Sequence, residues 1–269
     1  MKRQKLRKAL VIISFLLFPI TLYYFSPYLI IQGAYQGIVT GSFIVFTLMF
    51  LVSLFLGRAF CGWVCPTGGL QECCTLAVDK KTKGGKLNWI KYIIWIPWVS
   101  MIILMFKTAG GFKQIDFFYQ TDHGVSVTSP QAYVIFYAVI LLIIVLAFTA
   151  GRRSFCHYGC WMSPFMIIGT KLKDVLKYPS LHLKVDKSKC ISCKSCTKKC
   201  PMSLEVMDMV HKGTMINSEC ILCGECVDVC PKSSNKLYYH KVMLEWGAYD
   251  GESLPIFAFT RVLKKRPTI

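Results

Sequence analysis

Eight cysteines in the C-terminal part of the chain fall into two runs with one shared spacing. The runs are CISCKSCTKKCP, which begins at Cys190, and CILCGECVDVCP, which begins at Cys220. Both read C-x2-C-x2-C-x3-C-P, the bacterial-type pattern in which the fourth cysteine of each run binds the cluster of the other run. The spacing therefore predicts two [4Fe–4S] clusters. Their predicted ligands are Cys190, Cys193, Cys196 and Cys230 for the first cluster, and Cys220, Cys223, Cys226 and Cys200 for the second.

The residues between these cysteines favour iron–sulfur ligation over zinc or disulfides. Ser192, Ser195 and Gly224 are small, so backbone N–H groups can approach the sulfur atoms of a cluster. Pro201 and Pro231 end any helix directly after the crossing cysteine. Zinc sites space cysteines in pairs and add histidines, and these runs do neither. Clusters are assembled on reduced thiols, so the cysteines indicate a reducing compartment, the cytoplasm.

The composition indicates a membrane protein and argues against a nucleic-acid-binding module. Of the 269 residues, 54% are hydrophobic, and the apolar residues concentrate before residue 151. The formal charge of +18 comes from basic residues that flank apolar stretches, with no aromatic–basic recognition module. Ligating thiolates are anionic, so part of this positive excess balances cysteines.

Four apolar stretches are long enough to be predicted as membrane spans. The first follows a basic N-terminus without a nearby cleavage motif, so we expect an uncleaved signal anchor that is kinked at Pro19. The third contains Pro97, which membrane helices tolerate. The predicted spans are residues 9–24, 38–56, 90–106 and 132–150. The predicted fold is an α-helical membrane protein with four transmembrane helices as two parallel two-helix repeats, plus a C-terminal α+β domain of the bacterial 2[4Fe–4S] ferredoxin type.

The distribution of Lys and Arg predicts that both termini face the cytoplasm. Five basic residues precede the first span and six lie between residues 57 and 91, whereas residues 26–37 carry none. Only Lys107 and Lys113 lie between the third and fourth spans. Basic residues accumulate in cytoplasmic loops. The predicted location is the inner (cytoplasmic) membrane, with multiple passes and every cysteine on the cytoplasmic side.

A shorter cysteine motif follows both the second and the fourth predicted span. It stands in GRAFCGWVC, which begins at Gly57, and in GRRSFCHYGC, which begins at Gly151. Two parallel repeats related by an axis along the membrane normal bring both C-x3-C pairs together at the cytoplasmic edge. Residues four apart share one face of a helix, so the pairs form a candidate third metal centre. The four residues are Cys61, Cys65, Cys156 and Cys160.

Two other interpretations of these pairs stay open: a redox-active dithiol, and small buried residues at helix ends without a metal. Arg58, Arg152 and Arg153 would offset the negative charge of a cluster, and Arg58 and Arg152 are the candidate cofactor-binding residues. The alternative is that these arginines snorkel to the lipid interface. Cys73 and Cys74 have no counterpart in the second repeat and are predicted to be spare.

The remaining predictions concern a helix, a strand, two histidines and the domain boundaries. Apolar residues at helical spacing from Pro164 to Lys177, opposite lysines, predict an amphipathic helix along the membrane surface. Residues 237–246 are predicted to form a closing strand. His157 is predicted to be a polar cap rather than a ligand, and His123 a solvated loop residue rather than a proton-exchanging group for a quinone. The predicted domains are a membrane domain at 1–163, a juxtamembrane helix and linker at 164–184, the cluster domain at 185–240 and a basic tail at 241–269.

With four spans, paired C-x3-C motifs and a double-cluster domain, residues 1–235 resemble the NapH-type membrane ferredoxins, whose relatives include MauN-, NosR- and CcoG-type proteins. The family motif C-x3-C-P is kept at Cys65 and Pro66, whereas in the second copy Trp161 takes the proline position and Pro164 is displaced. The resemblance implies an electron-transfer subunit of an oxidoreductase complex that takes electrons from quinol, with quinone as a further cofactor.

The first functional hypothesis is an integral-membrane iron–sulfur electron carrier. It would link a quinone pool or a partner redox subunit to [4Fe–4S] clusters on the cytoplasmic side. Whether the chain is itself an enzyme stays open, since no catalytic triad, phosphate loop or haem motif occurs. The alternative, which the CcoG resemblance implies, is a metal- or thiol-reducing maturation factor for a respiratory enzyme. The expected partners are membrane lipid, quinone, and other redox subunits or an acidic electron carrier, with no nucleic acid.

Overall fold

The computed structural model describes residues 2–176, 179–232 and 235–240, so the predicted basic tail at 241–269 lies outside the described residues. The helices are α1 (Lys2–Leu16), α2 (Phe18–Thr21), α3 (Pro27–Gln36), α4 (Gly41–Leu56), α5 (Ala59–Trp63), α6 (Pro66–Ala77), α7 (Ile90–Thr108), α8 (Pro130–Ala150), α9 (Ser154–Tyr158), α10 (Ser163–Leu176), α11 (Ser195–Lys199), α12 (Val206–Lys212) and α13 (Glu225–Asp228). The strands are β1 (Ile38–Thr40), β2 (Gln114–Asp116), β3 (Ser180–Val185) and β4 (Asn235–His240).

Two of the four predicted spans are helices long and apolar enough to cross a membrane within the described part of the chain, namely Gly85–Thr108 and Pro130–Ala150. The helix that contains Pro97 runs unbroken from Ile90 to Thr108, as the sequence predicted. The remaining two predicted spans differ from continuous membrane-length helices, each for a local reason.

The first predicted span is a bent pair, with an angle of 59° between Arg3–Leu16 and Phe18–Phe25. Pro19 lies in the first turn of the second segment, where a missing backbone N–H leaves no hydrogen bond unmade. The kink that the sequence predicted is thus confirmed. If the bent pair counts as one span, up to three helical segments of the described chain can cross a membrane.

The second predicted span, residues 38–56, does not begin as a helix. Residues 38–40 form β1, which pairs in parallel with β2. The Thr40 side chain then accepts a hydrogen bond from the Phe43 N–H at 3.3 Å and starts α4. The resulting helix has 16 residues, shorter than the length that usually spans a bilayer.

The internal repeat is a unit of three helices, α4–α5–α6 and α8–α9–α10. In each copy a glycine with positive φ ends the long helix, at 55° for Gly57 and 101° for Gly151. In each copy a cysteine N–H then donates to the phenylalanine carbonyl five residues earlier, at 3.0 Å for Cys65 and 2.9 Å for Cys160. The sequence showed the motif but missed α6, the third helix of the first copy.

The two repeats pack reciprocally, with α4 against α10 and α6 against α8. A twofold relation between two copies requires such an exchange of contacts. Gly169 in α10 lets the helices approach, because a Cβ atom there would overlap the Ser53 side chain of α4.

Helix α10 lies where the sequence predicted an amphipathic juxtamembrane helix, and one of its lysines is placed differently from the prediction. The predicted apolar stripe, which includes Leu172 and Val175, is exposed, and the opposite face packs on α4. Lys173, expected on a solvated face, is buried because its Nζ donates to the Leu181 carbonyl at 2.7 Å.

The cluster domain is closed by β3 and β4, an antiparallel pair in register from Ser180–His240 to Val185–Asn235. The first part of the predicted closing strand, 237–240, lies in β4, and residues 241–246 lie outside the described residues. The two cysteine runs repeat the same unusual backbone. Ser192 and Leu222, at equivalent positions, have φ of 56° and 49°, and Lys194 and Gly224 have φ of 58° and 72°. Such conformations are costly for residues other than glycine and persist where the surroundings fix them.

Candidate metal centres

The second set of predicted cluster ligands surrounds one small cavity. Cys200, Cys220, Cys223 and Cys226 line it together with apolar side chains such as Leu183 and Met202. Burial, followed by the neighbouring Cys223, raises the pKa of Cys200 to about 12. The crossing cysteine of the first run therefore lies among the cysteines of the second, as the ligation pattern requires.

The first set is arranged in the same crossed way but is more open to solvent. Cys193 is exposed, and Cys190, Cys196 and Cys230 are half-buried. Hydrogen bonds from Ser195 lower the pKa of the Cys193 thiol, against an opposing effect from Cys230 close by. Cys230, the crossing cysteine of the second run, thus lies beside the first run.

The four cysteines of the C-x3-C pairs also come together, at the junction between the helical region and the cluster domain. Cys61, Cys65, Cys156 and Cys160 are all buried. Burial, followed by the charges of Cys61 and Cys156, raises the pKa of Cys65 to about 12. Cys160 likewise interacts with the other three. The four thiols therefore lie near enough to interact electrostatically with one another.

The pairs do not share one helix face, which corrects the local geometry that the sequence predicted. Cys61 lies in α5, and Cys65 is the N-cap residue of α6. Cys156 lies in α9, and Cys160 precedes α10. The break lets each pair curve around a common point. Pro164, displaced in the sequence, still lies in the first turn of α10, so it has a place in that helix like that of Pro66 in α6.

Two buried arginines provide the test of whether this site fits an iron–sulfur cluster. Arg58 and Arg153 are 0% and 1% exposed. Within the described residues, Arg58 Nε and Nη2 and Arg153 Nε are buried without a hydrogen-bond partner. Burial raises the pKa of Cys61, and the charges of the two arginines oppose that rise. Unpaired cationic donors beside four buried thiols fit a group that is anionic and rich in sulfur acceptors, as a thiolate-ligated cluster is.

Each arginine shares a carboxylate with a second cation. Glu219 lies 2.8 Å from Arg58 Nη1 and 2.5 Å from Lys91 Nζ. Glu72 contacts Arg153 Nη2 and lies 2.6 Å from Arg7 Nη1. Burial opposes the charge of both carboxylates, yet the nearby cations lower their pKa. The group of Arg58, Lys91 and Glu219 keeps one positive charge in excess, which a negative cluster would balance.

No single-ion site accompanies these cysteines. Among the described residues, no three His, Cys, Asp or Glu side chains are arranged to hold one metal ion. The thiolates of a cluster bind different iron atoms, so they lie further apart than the ligands of one zinc ion.

Helix α5 lies directly on the second cysteine run. A Cβ atom on Gly62, between Cys61 and Cys65, would come within 2.5 Å of the Ile221 carbonyl. Trp63 Nε1 donates to the Leu222 carbonyl at 3.2 Å. Only glycine at position 62 permits this approach, which places the C-x3-C site beside the cavity lined by Cys220 and its partners.

Comparison with known proteins matches both the region of the C-x3-C pairs and the region of the long cysteine runs to 4Fe-4S domains. A family model described as a 4Fe-4S binding domain matches residues 38–83 and 132–172, and one described as a 4Fe-4S dicluster domain matches residues 182–231. The chain carries 4Fe–4S ferredoxin-type domains. The first match covers α4–α5–α6 and α8–α9–α10, with both C-x3-C pairs; the second covers both long cysteine runs.

Relatives are distant. Two uncharacterised proteins of Methanocaldococcus jannaschii are 27% and 28% identical over 68% and 59% of this chain, and 69% and 64% of their own lengths. YccM of Escherichia coli, provisionally named an electron transport protein, is 23% identical over 70% of this chain. The match spans 54% of the length of YccM. No solved structure matches the chain.

Arg152 and Arg153, both named from the sequence as able to offset the charge of a cluster, have different roles in the structure. Arg152, predicted beside the C-x3-C pairs, instead bonds Asp79 and donates to the Lys198 carbonyl at 2.7 Å. The arginine buried among the pairs is Arg153. The spacing agrees with this placement, because Arg153 stands three residues before Cys156, as Arg58 does before Cys61. Sequence reasoning missed the carboxylate partners of these arginines, Glu219 and Glu72.

His157 and His123, the two histidines that the sequence singled out, both have hydrogen-bond partners. His157 Nε2 donates to the Met202 carbonyl at 3.1 Å, and its Nδ1 lies 3.0 Å from the Asn88 amide. Burial lowers the pKa of His157 to about 4, so it is neutral near pH 7. His123 is exposed and lies 2.6 Å from Asp122.

An open cleft of about 420 Å³ lies elsewhere, between β1, α4 and β2, and is lined by Val39, Phe43, Phe112, Lys113, Gln114 and Ile115.

Proposed function

We propose that the chain is an integral-membrane iron–sulfur electron-transfer protein, which links a quinone pool or a partner redox subunit to [4Fe–4S] clusters on the cytoplasmic side. In this proposal Cys190, Cys193, Cys196 and Cys230 hold one cluster, Cys220, Cys223, Cys226 and Cys200 the second, and Cys61, Cys65, Cys156 and Cys160 a third centre. Bound clusters supply reversible one-electron chemistry. The protein supplies their spacing, their charge balance and their shielding from water.

The contact of α5 with the second run carries this proposal. Arg58 interacts electrostatically with Cys61 and Cys156 and also lowers the pKa of Cys220, against a larger rise from burial. Arg153 does the same for Cys156 and Cys223. Two buried cations thus lie within range of both cysteine groups, so the membrane-edge site and the dicluster domain form one continuous site rather than two separate ones.

The proposal also covers the side of the membrane on which the clusters lie and the place where a quinone would bind. Arg3 lies 2.6 Å from Asp228, so the start of α1 contacts the dicluster domain. The N-terminus and the clusters therefore share one side, which the distribution of basic residues favours as the cytoplasmic side. A quinol-oxidising role of the NapH type rests on the resemblance of the sequence. The opposite end of the bundle holds the open cleft beside Lys113, where a quinone ring would find an apolar wall.

A redox titration of the full chain tests the proposed function. Anaerobically purified protein in detergent is titrated and followed by EPR, and a short-chain quinol is then added to the oxidised sample. We expect two interacting [4Fe–4S] signals, a further signal from the third centre, and reduction by the quinol. Protein with iron but no labile sulfide contradicts the proposal. Clusters that accept electrons from dithionite but not from quinol would restrict it to a partner-linked carrier.

A further inference from the structure

The two cysteine runs have equal spacing but opposite charge. From Lys184 to Lys199 the chain has six lysines and one carboxylate, Asp186. From Met215 to Val229 it has three carboxylates and no Lys or Arg. The contrast falls on equivalent positions, since Lys189 corresponds to Glu219 and Lys198 to Asp228.

Every carboxylate of the second run pairs with a cation of the helical region. Glu219 pairs with Arg58, Glu225 lies 3.5 Å from Arg7, and Asp228 lies 2.6 Å from Arg3. The acidic side of the dicluster domain is therefore the side that docks on the rest of the chain. Complementary charges of this kind fix the orientation of an interface.

The apolar centre of that interface also has an equivalent in the first run. Ile221 follows the first cysteine of its run and is 1% exposed under Gly62. Ile191 holds the same position in the first run and is 56% exposed. The lysines around it, Lys187, Lys189 and Lys194, are exposed as well. Lys189 lies 3.2 Å from Asp186, which is itself half-exposed.

We propose that the face formed by Lys187, Lys189, Ile191, Ser192 and Lys194, here called the first-run face, docks an acidic electron-transfer protein. The partner would cover Ile191 with an apolar surface and place carboxylates against the lysines, as α5 covers Ile221 with the signs of charge reversed. The face lies beside Cys190 and Cys193, so a docked carrier would contact the more open half of the dicluster domain. The inference rests on the proposed electron-transfer function and names the class of its soluble partner.

Charge decides among the occupants of the first-run face. A second copy of this chain would bring a surface of the same sign, because the formal charge is +18. An acidic protein gains attraction from the lysines, which steers association and weakens as salt screens the charges. An exposed isoleucine inside a ring of lysines also matches the apolar core and polar rim of protein interfaces.

Binding of a flavodoxin, used as an acidic one-electron carrier, tests the inference without relying on turnover. The dissociation constant is measured with the oxidised full chain in detergent at low ionic strength. We expect Lys187→Glu, Lys189→Glu and Lys194→Glu together to weaken binding by about tenfold or more. The matched control reverses three exposed lysines elsewhere, Lys8→Glu, Lys83→Glu and Lys86→Glu, and should change the constant less than about twofold.

Two further measurements make the result specific. Carbodiimide cross-links to flavodoxin should map to Lys187, Lys189 or Lys194, and Ile191→Ser should weaken binding by about threefold. Iron content measured on the same samples separates a failure of the proposed function from a failure of docking. Equal loss in both triple variants, no loss in either, or a change of oligomeric state in place of flavodoxin affinity would overturn the inference.

Discussion

The two halves of the dicluster domain share one ligand pattern and differ in everything that surrounds it. Around the second run, Glu219 and Ile221 are buried against Arg58 and Gly62. Around the first run, the equivalent residues Lys189 and Ile191 face solvent. The cysteines specify what can be bound, and the residues next to them determine whether that half lies inside the molecule or at its surface.

Two runs with the same cysteine spacing can therefore have different surroundings in the folded protein. Equal cysteine spacing makes two similar binding sites, but only one can contact the helical region. The acidic residues of the second run lie on that side, where they pair with Arg3, Arg7 and Arg58. The same cations offset the negative charge of the cysteine thiolates. The ion pairs of this interface and the cysteine site therefore stabilise each other.

Removing the buried carboxylate should have the largest effect on stability. Glu219→Gln leaves Arg58 and Lys91 buried without their shared counter-charge, which we expect to destabilise the protein by about 3–5 kcal/mol. The matched change Lys189→Gln removes only an exposed pair and should cost less than about 1 kcal/mol. Chemical denaturation in detergent measures both; equal losses would mean that the halves are equivalent.

The equivalent isoleucines offer a second contrast. Ile221→Ser removes a fully buried side chain and should cost about 3 kcal/mol, whereas Ile191→Ser should stay within about 0.5 kcal/mol. The same denaturation experiment applies, with iron content as a check on folding. A large cost at Ile191 would show that this residue is covered within the chain, against the asymmetry described above.

The close approach of α5 can be tested at a single atom. Gly62→Ala places a methyl carbon 2.5 Å from the Ile221 carbonyl oxygen, and overpacking of this kind costs about 1–3 kcal/mol. Gly84→Ala is the control, because a Cβ atom there meets nothing nearer than 3.8 Å. Faster hydrogen exchange around residues 220–226 in the Gly62 variant alone would confirm the contact, and unchanged exchange would argue against it.

The smallest expected effect is on reduction potential. Arg58→Gln removes a buried positive charge beside Cys61 and Cys156, so the potential of a centre held there should fall by about 60 mV, a tenfold change for one electron. Arg152→Gln is the comparison, since Arg152 contacts the Cys200 loop instead. Redox titration followed by EPR separates the two. Equal shifts in both variants would indicate a long-range effect of net charge.

The sequence predicted the parts of this arrangement that depend on spacing. Cysteine runs, the Gly-Arg and C-x3-C repeat, and the long apolar helices α7 and α8 follow from local patterns. The ion pairs do not, because Glu219 and Lys91 are 128 residues apart and meet only through tertiary packing. The start of α4 was predicted three residues too early, because residues 38–40 are apolar and their pairing with residues 114–116 as a strand is not local.

Iron analysis of paired cysteine variants tests the central claim, that the C-x3-C pairs form a metal centre joined to the dicluster domain. Cys61→Ser with Cys156→Ser should remove about two to four irons per chain, retain the signals of the two cubanes and abolish their reduction by quinol. Cys73→Ser with Cys74→Ser, on the neighbouring α6, should leave iron content and reduction unchanged. If the first variant keeps its full iron content and its quinol-linked reduction, the four buried cysteines are structural and the account is contradicted.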